Sequence, residues 1–218
     1  MVNLKEYYTS EAYQTHQYSG IIGKLMRKSH ECMEFSSEKK SKVLEIGAGT
    51  NPHLPYLKHD FNYYYIIDLY KELETYYHKF DKVIFKQYDG KEIPFEDNYF
   101  DRIIISHCLE HIPQPESFLL QTFDKLKKNG NLSIALPTDP GVLWRVGRKF
   151  GNYFINPKTH KMTNLENDYL NAIDHVNSIF SLRTFIRKHF GNNLIERFEP
   201  LKLKAIDINL FYIAEIIK

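Results

Sequence analysis

Cysteine is nearly missing from this sequence. Cys32 and Cys108 are the two present, which give neither a disulfide framework nor thiolate metal spacing. An excess of one charge is missing as well. The 29 Lys and Arg against 27 Asp and Glu leave a net charge of +2, so nothing pulls the chain toward nucleic acid or an anionic surface. No basic aromatic patch points to a nucleic-acid partner. No apolar run approaches the length of a membrane span, and no secretory signal opens the chain. The expectation is a cytoplasmic protein of a reducing compartment, without an integral membrane segment. Its 218 residues suit one α/β domain with elaborations. Aromatics alone are abundant, with 16 Tyr and 15 Phe. They read as the filling of core and surface by an AT-rich gene rather than as an aromatic cage.

What is present is organised around Lys42-Val43-Leu44-Glu45-Ile46-Gly47-Ala48-Gly49-Thr50-Asn51. A short apolar run stops at two glycines spaced by one residue, which reads as a buried strand feeding a tight turn. Gly47 and Gly49 remove Cβ where backbone turns sharply and approaches a ligand. The dinucleotide pattern G-x-G-x-x-G fails here, because Pro52 stands where the third glycine belongs. A P-loop fails too, since no Gly-Lys-Ser/Thr follows. Glu45 beside the turn would repel a pyrophosphate but not an ammonium or sulfonium.

Glu-x-Gly-x-Gly after a first strand resembles the signature turn of the class I S-adenosylmethionine-dependent methyltransferases. Asn51 departs from the family's usual third glycine, and Asn is the next most tolerant residue of left-handed backbone. Further segments carry the same resemblance. Asp68 ends the apolar run 63–67 about twenty residues after the turn, where a carboxylate can accept from ribose hydroxyls; the plainer alternative is an N-cap for a helix over 70–79. Asp89-Gly90-Lys91-Glu92-Ile93-Pro94-Phe95 is similar to the family's adenine-binding stretch, with an Asp-Gly turn as the plainer reading. Phe100-Asp101, an apolar strand, then Ser106-His107-Cys108-Leu109-Glu110-His111-Ile112 looks like the segment after strand four. The match is best in the small-molecule, type 11-like branch.

The resemblance implies an α/β, Rossmann-like, doubly wound sheet of seven mostly parallel strands. It implies S-adenosylmethionine as cofactor and methyl transfer to a small-molecule acceptor, such as a sugar, lipid or phosphorylated metabolite. Glu45, Gly47, Ala48 and Gly49 would lie against the amino-acid part of the cofactor, Asp68 and Leu69 at the ribose, Asp89 and Gly90 at the adenine, and Ser106 near the methionine end. Transfer from a sulfonium is an in-line displacement in which much of the catalysis is orientation. A base is needed only where the acceptor must lose a proton. His107, His111 and Glu110 are the candidates, with His175 behind them. His-x-x-Glu-His also mimics an inverted zinc motif, but the sequence sets no third ligand beside it, and no metal is expected. No Asn-Pro-Pro-Tyr-type motif of base methylation follows strand four.

The single domain divides into a helical cap (1–40), a cofactor-binding core (42–136), an insertion (137–177) and a C-terminal helix with hairpin (178–218). Helices are expected over 12–17 and 21–35, over 52–58 with Asn51 as cap, over 115–128 with Lys127-Lys128-Asn129-Gly130 as its stop, and over 182–190 with Ser181 as cap. Strands are expected at 42–46, 63–67, 82–86, 102–106, 131–136, 194–198 and 208–217. The link 199–207 is too short for a crossover helix, so the last two strands pair antiparallel. Tyr18, Arg145, Arg148 and His175 are acceptor-side candidates, the arginines for an anionic group. Two alternatives stay open: a cofactor-binding partner or regulator without catalysis, and an N-methyltransferase of lipid or phospho-headgroup amines. The oligomeric state is open.

Overall fold

The computed structural model describes residues 20–147, 169 and 171–218. Seven strands form one sheet: β1 (Lys42–Ile46), β2 (Tyr63–Asp68), β3 (Val83–Gln87), β4 (Phe100–Ser106), β5 (Leu126–Pro137), β6 (Leu194–Glu199) and β7 (Phe211–Ile217). Their order is β3-β2-β1-β4-β5-β7-β6. The first five are parallel, and β7 runs antiparallel between β5 and β6. This is the expected doubly wound sheet with its antiparallel end.

The helices divide by face. Alternation along each strand sends successive side chains to opposite sides. Leu44, Ile46, Ile67, Ile103, Ile105, Leu132 and Ile134 pack with Leu119 of α3 (Pro115–Asp124) and with Leu182 and Ile186 of α4 (Ile179–Phe190). Val43, Tyr64, Ile66, Ile104 and Ile213 pack with Met26 of α1 (Gly20–Cys32), with Met33, and with Leu73 and Tyr77 of α2 (Leu73–Tyr77). Each fully buried Leu or Ile stabilises by roughly 1.5–3 kcal/mol relative to exposure, so both faces must be covered.

Several expectations need correction. The helix over 52–58 is a single 3-10 turn, Leu54–Tyr56, whose N-cap residue is His53. The Lys58 amide, which such a helix would direct at Leu54 O, donates instead to Glu34 Oε2 at 2.9 Å, while His53 N donates to Glu45 at 2.8 Å. Asn51 is neither left-handed nor a cap; its side chain turns to Thr50 Oγ1. The helix over 115–128 stops at Asp124, and Lys127–Gly130 belong to β5. There Asn129 takes φ +64°, and the β4–β5 register shifts between Phe100 and Arg102. A Cβ on Gly130 would lie 2.9 Å from the Lys127 carbonyl oxygen and 3.1 Å from that of Asp101. That glycine therefore serves a bulge and not a helix end. Ser178, rather than Ser181, caps α4, accepting from Ser181 N at 3.3 Å. The helix expected at 70–79 is α2 alone, with Glu72 as its N-cap. The expected helix over 12–17 and residues 148–168 of the insertion lie outside the described residues.

Candidate functional site

The carboxyl ends of β1, β2, β3 and β4 converge on the glycine turn. Gly47 takes φ +69° and Gly49 φ +54°, conformations that favour glycine. Gly47 N donates to Ile67 O at 2.9 Å, carrying the β1–β2 ladder into the turn. Gly49 is held at both ends of its peptide. Its N–H donates to Asp68 Oδ2 at 3.0 Å, and its carbonyl accepts from Tyr77 Oη at 2.6 Å. Asp68 Oδ1 accepts from Tyr70 N at 3.2 Å. Asp68 is therefore a brace of the glycine loop and not the cap of α2. A carboxylate has about four acceptor positions, so Asp68 keeps acceptor capacity beyond its backbone donors. Burial moves the Asp68 carboxyl up from its ordinary value, against the backbone donors.

Glu45 lies beneath the loop, almost fully buried. Its carboxylate accepts from His53 N and, at 2.6 Å, from Tyr64 Oη. Burial pushes this carboxyl up to about 7, opposed by those two donors. Glu45 thus ties the loop's far end to β2, with both oxygens engaged inside the protein. Ala48 is buried and packs in the α1-side core. Cys108 closes on the loop from above: a Cβ on Gly47 would meet its Sγ at 2.3 Å. Burial pushes the Cys108 thiol up, so it packs as a neutral thiol.

At the β3 end, Asp89 is exposed and Oδ1 accepts from Lys91 N at 2.9 Å, closing an Asp-Gly turn with Gly90 at φ +82°. A Cβ on Gly90 would sit 3.4 Å from Leu69 Cδ2, and Leu69 is 53% exposed. Gln87, Tyr88, Asp89, Glu92 and Ile93 line an open groove there. Tyr88 Oη and Ser106 Oγ are buried with no hydrogen-bond partner among the described residues. Such orphaned groups call for a partner.

The titratable candidates after β4 separate into two places. His107 takes φ +50° and reaches across to α1. Ser29 Oγ donates to Met26 O at 2.7 Å, so it accepts from His107 Nε2–H at 2.8 Å. Burial, with the neighbouring His111 and His175, drops His107 to about 3. His107 is a neutral bridge between β4 and the covering helix. Glu110, His111 and His175 come together elsewhere: one ligand atom from each lies within 4.8 Å of the others. His111 Nδ1 faces Asp174 O at 3.0 Å and Oδ1 at 3.2 Å, while its Nε2 is 3.8 Å from Glu110 Oε1. His175 Nδ1 lies 3.0 Å from Asp139 Oδ2. Burial lifts Glu110 to about 7 and Asp174 to about 6, and lowers His111 to about 4. Asn177 clips the segment in place, donating from Nδ2 to Ile112 O at 2.6 Å and from its backbone N to Glu110 O at 3.1 Å. Arg145 is exposed on a helical stretch over 142–147; Tyr18 and Arg148 lie outside the described residues.

One feature has no counterpart among the sequence candidates. Glu34, just past α1, accepts from Arg102 of β4 at 2.7 Å and from His53 Nε2 at 2.7 Å. His53 Nδ1 then accepts from His30 Nδ1–H at 3.0 Å. Arg102 also donates to Met33 O and Ser133 Oγ. The available signal was an arginine inside an otherwise apolar strand, which demands a buried partner.

Residues 14–188 match the family model described as a methyltransferase domain. The chain belongs to this methyltransferase family. A 52-residue stretch, 24% of the chain, is 40% identical to the ubiquinone/menaquinone biosynthesis C-methyltransferase UbiE of Vibrio cholerae. That stretch spans 20% of the relative's length. Among solved structures, the plantazolicin methyltransferase BpumL, in complex with a monoazolic desmethylPZN analog and SAH, superposes with a TM-score of 0.67 at 14% identity, over 98% of this chain and 90% of that one. The N-methyltransferase NodS of Bradyrhizobium japonicum, in complex with S-adenosyl-L-homocysteine, gives 0.62 at 13% identity, over 99% and 96%. The fold of this methyltransferase domain is therefore that of class I S-adenosylmethionine-dependent enzymes. No helix among the described residues is long and apolar enough to cross a membrane.

Proposed function

We propose that this methyltransferase domain binds S-adenosylmethionine across the ends of β1 to β4 and transfers its methyl group to a small-molecule acceptor. The acceptor lies at the turn after β4, beside His175 and Asn177. The observation that carries the reading is Asp68: it stands at the end of β2, clamps Gly49 N, and keeps acceptor capacity toward the cleft. When bound, the cofactor supplies an electrophilic methyl group on a sulfonium. Asp68 would accept from the ribose hydroxyls, and Asp89 from the adenine amino group. Gly49, where a Cβ would meet nothing within 4 Å, leaves room for close backbone approach, and Leu69 and Gly90 give an apolar wall. The orphaned hydroxyls of Ser106 and Tyr88 fit a polar ligand along this path. Glu45 acts from below by positioning the loop. The chain's task at the reacting end is orientation, and Glu110, His111 and His175 are the groups that meet an acceptor proton.

Calorimetric titration with S-adenosylmethionine, S-adenosylhomocysteine and NADH, on the wild type and Asp68→Asn, tests this. Saturable binding of the two sulfur ligands, weakened at least about tenfold in the variant and absent for NADH, is expected. Failure of both sulfur ligands to bind, or equal affinity in Asp68→Asn, overturns it.

A further inference from the structure

We propose that Glu110, His111 and His175 form a site for one divalent first-row transition-metal ion. Of the His-x-x-Glu-His run after β4, His107 is tied to Ser29, and the fold brings His175, 64 residues downstream of His111, to Glu110 and His111 instead. One ligand atom from each residue lies within 4.8 Å of the others, a spacing that small side-chain movements close onto an ion at about 2.0–2.2 Å. The two histidines are oriented as metal ligands usually are. Each directs Nδ1 at an oxygen, His111 at Asp174 and His175 at Asp139, as metal-bound imidazoles do with their second nitrogen, and His111 Nε2 lies 3.8 Å from Glu110 Oε1. A second observation points to a ligand. Glu110 is 3% exposed, and its Oε2 is buried with no hydrogen-bond partner. A buried carboxylate oxygen in that state needs a cation or a donor. His111 and His175 are only partly buried, so an entry path exists. Two imidazoles and one carboxylate suit zinc, iron or manganese better than calcium or magnesium.

The catalytic meaning of the site rests on the methyl transfer proposed above. Three protein ligands leave coordination positions open. An acceptor hydroxyl bound there loses its proton more readily. The proton passes to water, the oxygen forms its bond to the methyl carbon as the sulfur–methyl bond breaks, and that electron pair stays on sulfur. The acceptor class is then a hydroxyl compound and the product a methyl ether.

The full chain, stripped with chelator, is titrated by calorimetry with Zn²⁺ and Mn²⁺, and separately with S-adenosylhomocysteine. One equivalent of Zn²⁺ is expected, weakened at least about tenfold in Glu110→Gln and His175→Ala, with S-adenosylhomocysteine affinity unchanged in both. Absence of saturable metal binding, or equal binding in both variants, overturns the site. If His175→Ala fails to fold, the isosteric Glu110→Gln decides. Metal binding that persists while S-adenosylhomocysteine fails to bind sinks the cofactor reading and leaves the metal site standing.

Discussion

Gly47→Ala tests the architecture of the glycine turn most sharply. Two separate costs meet at this position. A left-handed φ of +69° costs an L-residue with a side chain roughly 1–2 kcal/mol. The new methyl would also stand 2.3 Å from Cys108 Sγ and 3.0 Å from its Cβ. Overpacking of this kind costs about 1–3 kcal/mol. His107, the residue before Cys108, is itself left-handed and tied to Ser29, so the turn cannot simply withdraw. The single variant should lose about 2–5 kcal/mol in urea denaturation. Cys108→Ala alone should lose about 1 kcal/mol. In the double variant the sulfur is gone and only the backbone cost and a tight Cβ contact remain. The double-mutant cycle should therefore show a rescuing interaction of about 1–2 kcal/mol. Strict additivity, within about 0.5 kcal/mol, would refute the claim that Cys108 is why position 47 must lack a side chain.

Two further outcomes follow from the buried polar groups. Burial alone would raise the Glu34 carboxyl, but His53, Arg102 and the Lys58 amide outweigh it and hold the group at about 2 instead of 4.5. A depressed carboxyl stabilises the fold above the unfolded value, and that stability drains as pH falls from about 4.5 to about 2. The difference amounts to about 3 kcal/mol. Thermal denaturation across that window should show the loss, and Glu34→Gln, less stable at neutral pH, should flatten it; an unchanged acid profile in the variant would contradict the assignment. Tyr64→Phe removes the 2.6 Å donor to Glu45 and should cost about 1–3 kcal/mol, with weaker S-adenosylhomocysteine binding because the loop loses its anchor. Unchanged stability and unchanged binding together would show that Glu45 does not brace the loop.

Local signals made the strands that frame the candidate site readable from residues alone. The first strand's bounds, 42–46, stand in the structure as read, because an apolar run ended at glycines that could only turn. Asp68 ends β2, being the first acid after the run 63–67, of which Tyr64, Ile66 and Ile67 are buried. The antiparallel end of the sheet followed from a connection too short to cross over. What escaped depends on contacts distant in sequence. Lys127-Lys128-Asn129-Gly130 has the composition of a helix stop, yet Gly130 is needed because carbonyl oxygens of three other residues crowd its Cα. The helix after the loop stops at one turn, and the buried carboxylate of Glu34 holds the Lys58 amide that a longer helix would use. The grouping of His175 with Glu110 and His111 rests on the Asn177 clip to the turn after β4, which no spacing rule reveals.

The Glu34 network explains why a helix outside the sheet belongs to the site. The end of α1 and the residues just past it meet the site region at three places: Ser29 on His107 after β4, His30 on His53 after the glycine turn, and Glu34 on both Arg102 and His53. Taking Arg102 and Glu34 out of water costs about as much as their attraction returns, so the pair adds little net stability. Removing one partner, however, strands the other charge in the core at a cost of about 3–5 kcal/mol. Such a pair penalises alternatives more than it stabilises the native state. A misplaced α1 would leave Arg102 unpaired, free His53 from its acceptor and loosen the loop whose far end His53 marks. Placement of the covering helix and shaping of the cofactor loop are thus one event. A variant in this network should lose S-adenosylmethionine affinity without any of its residues touching the cofactor.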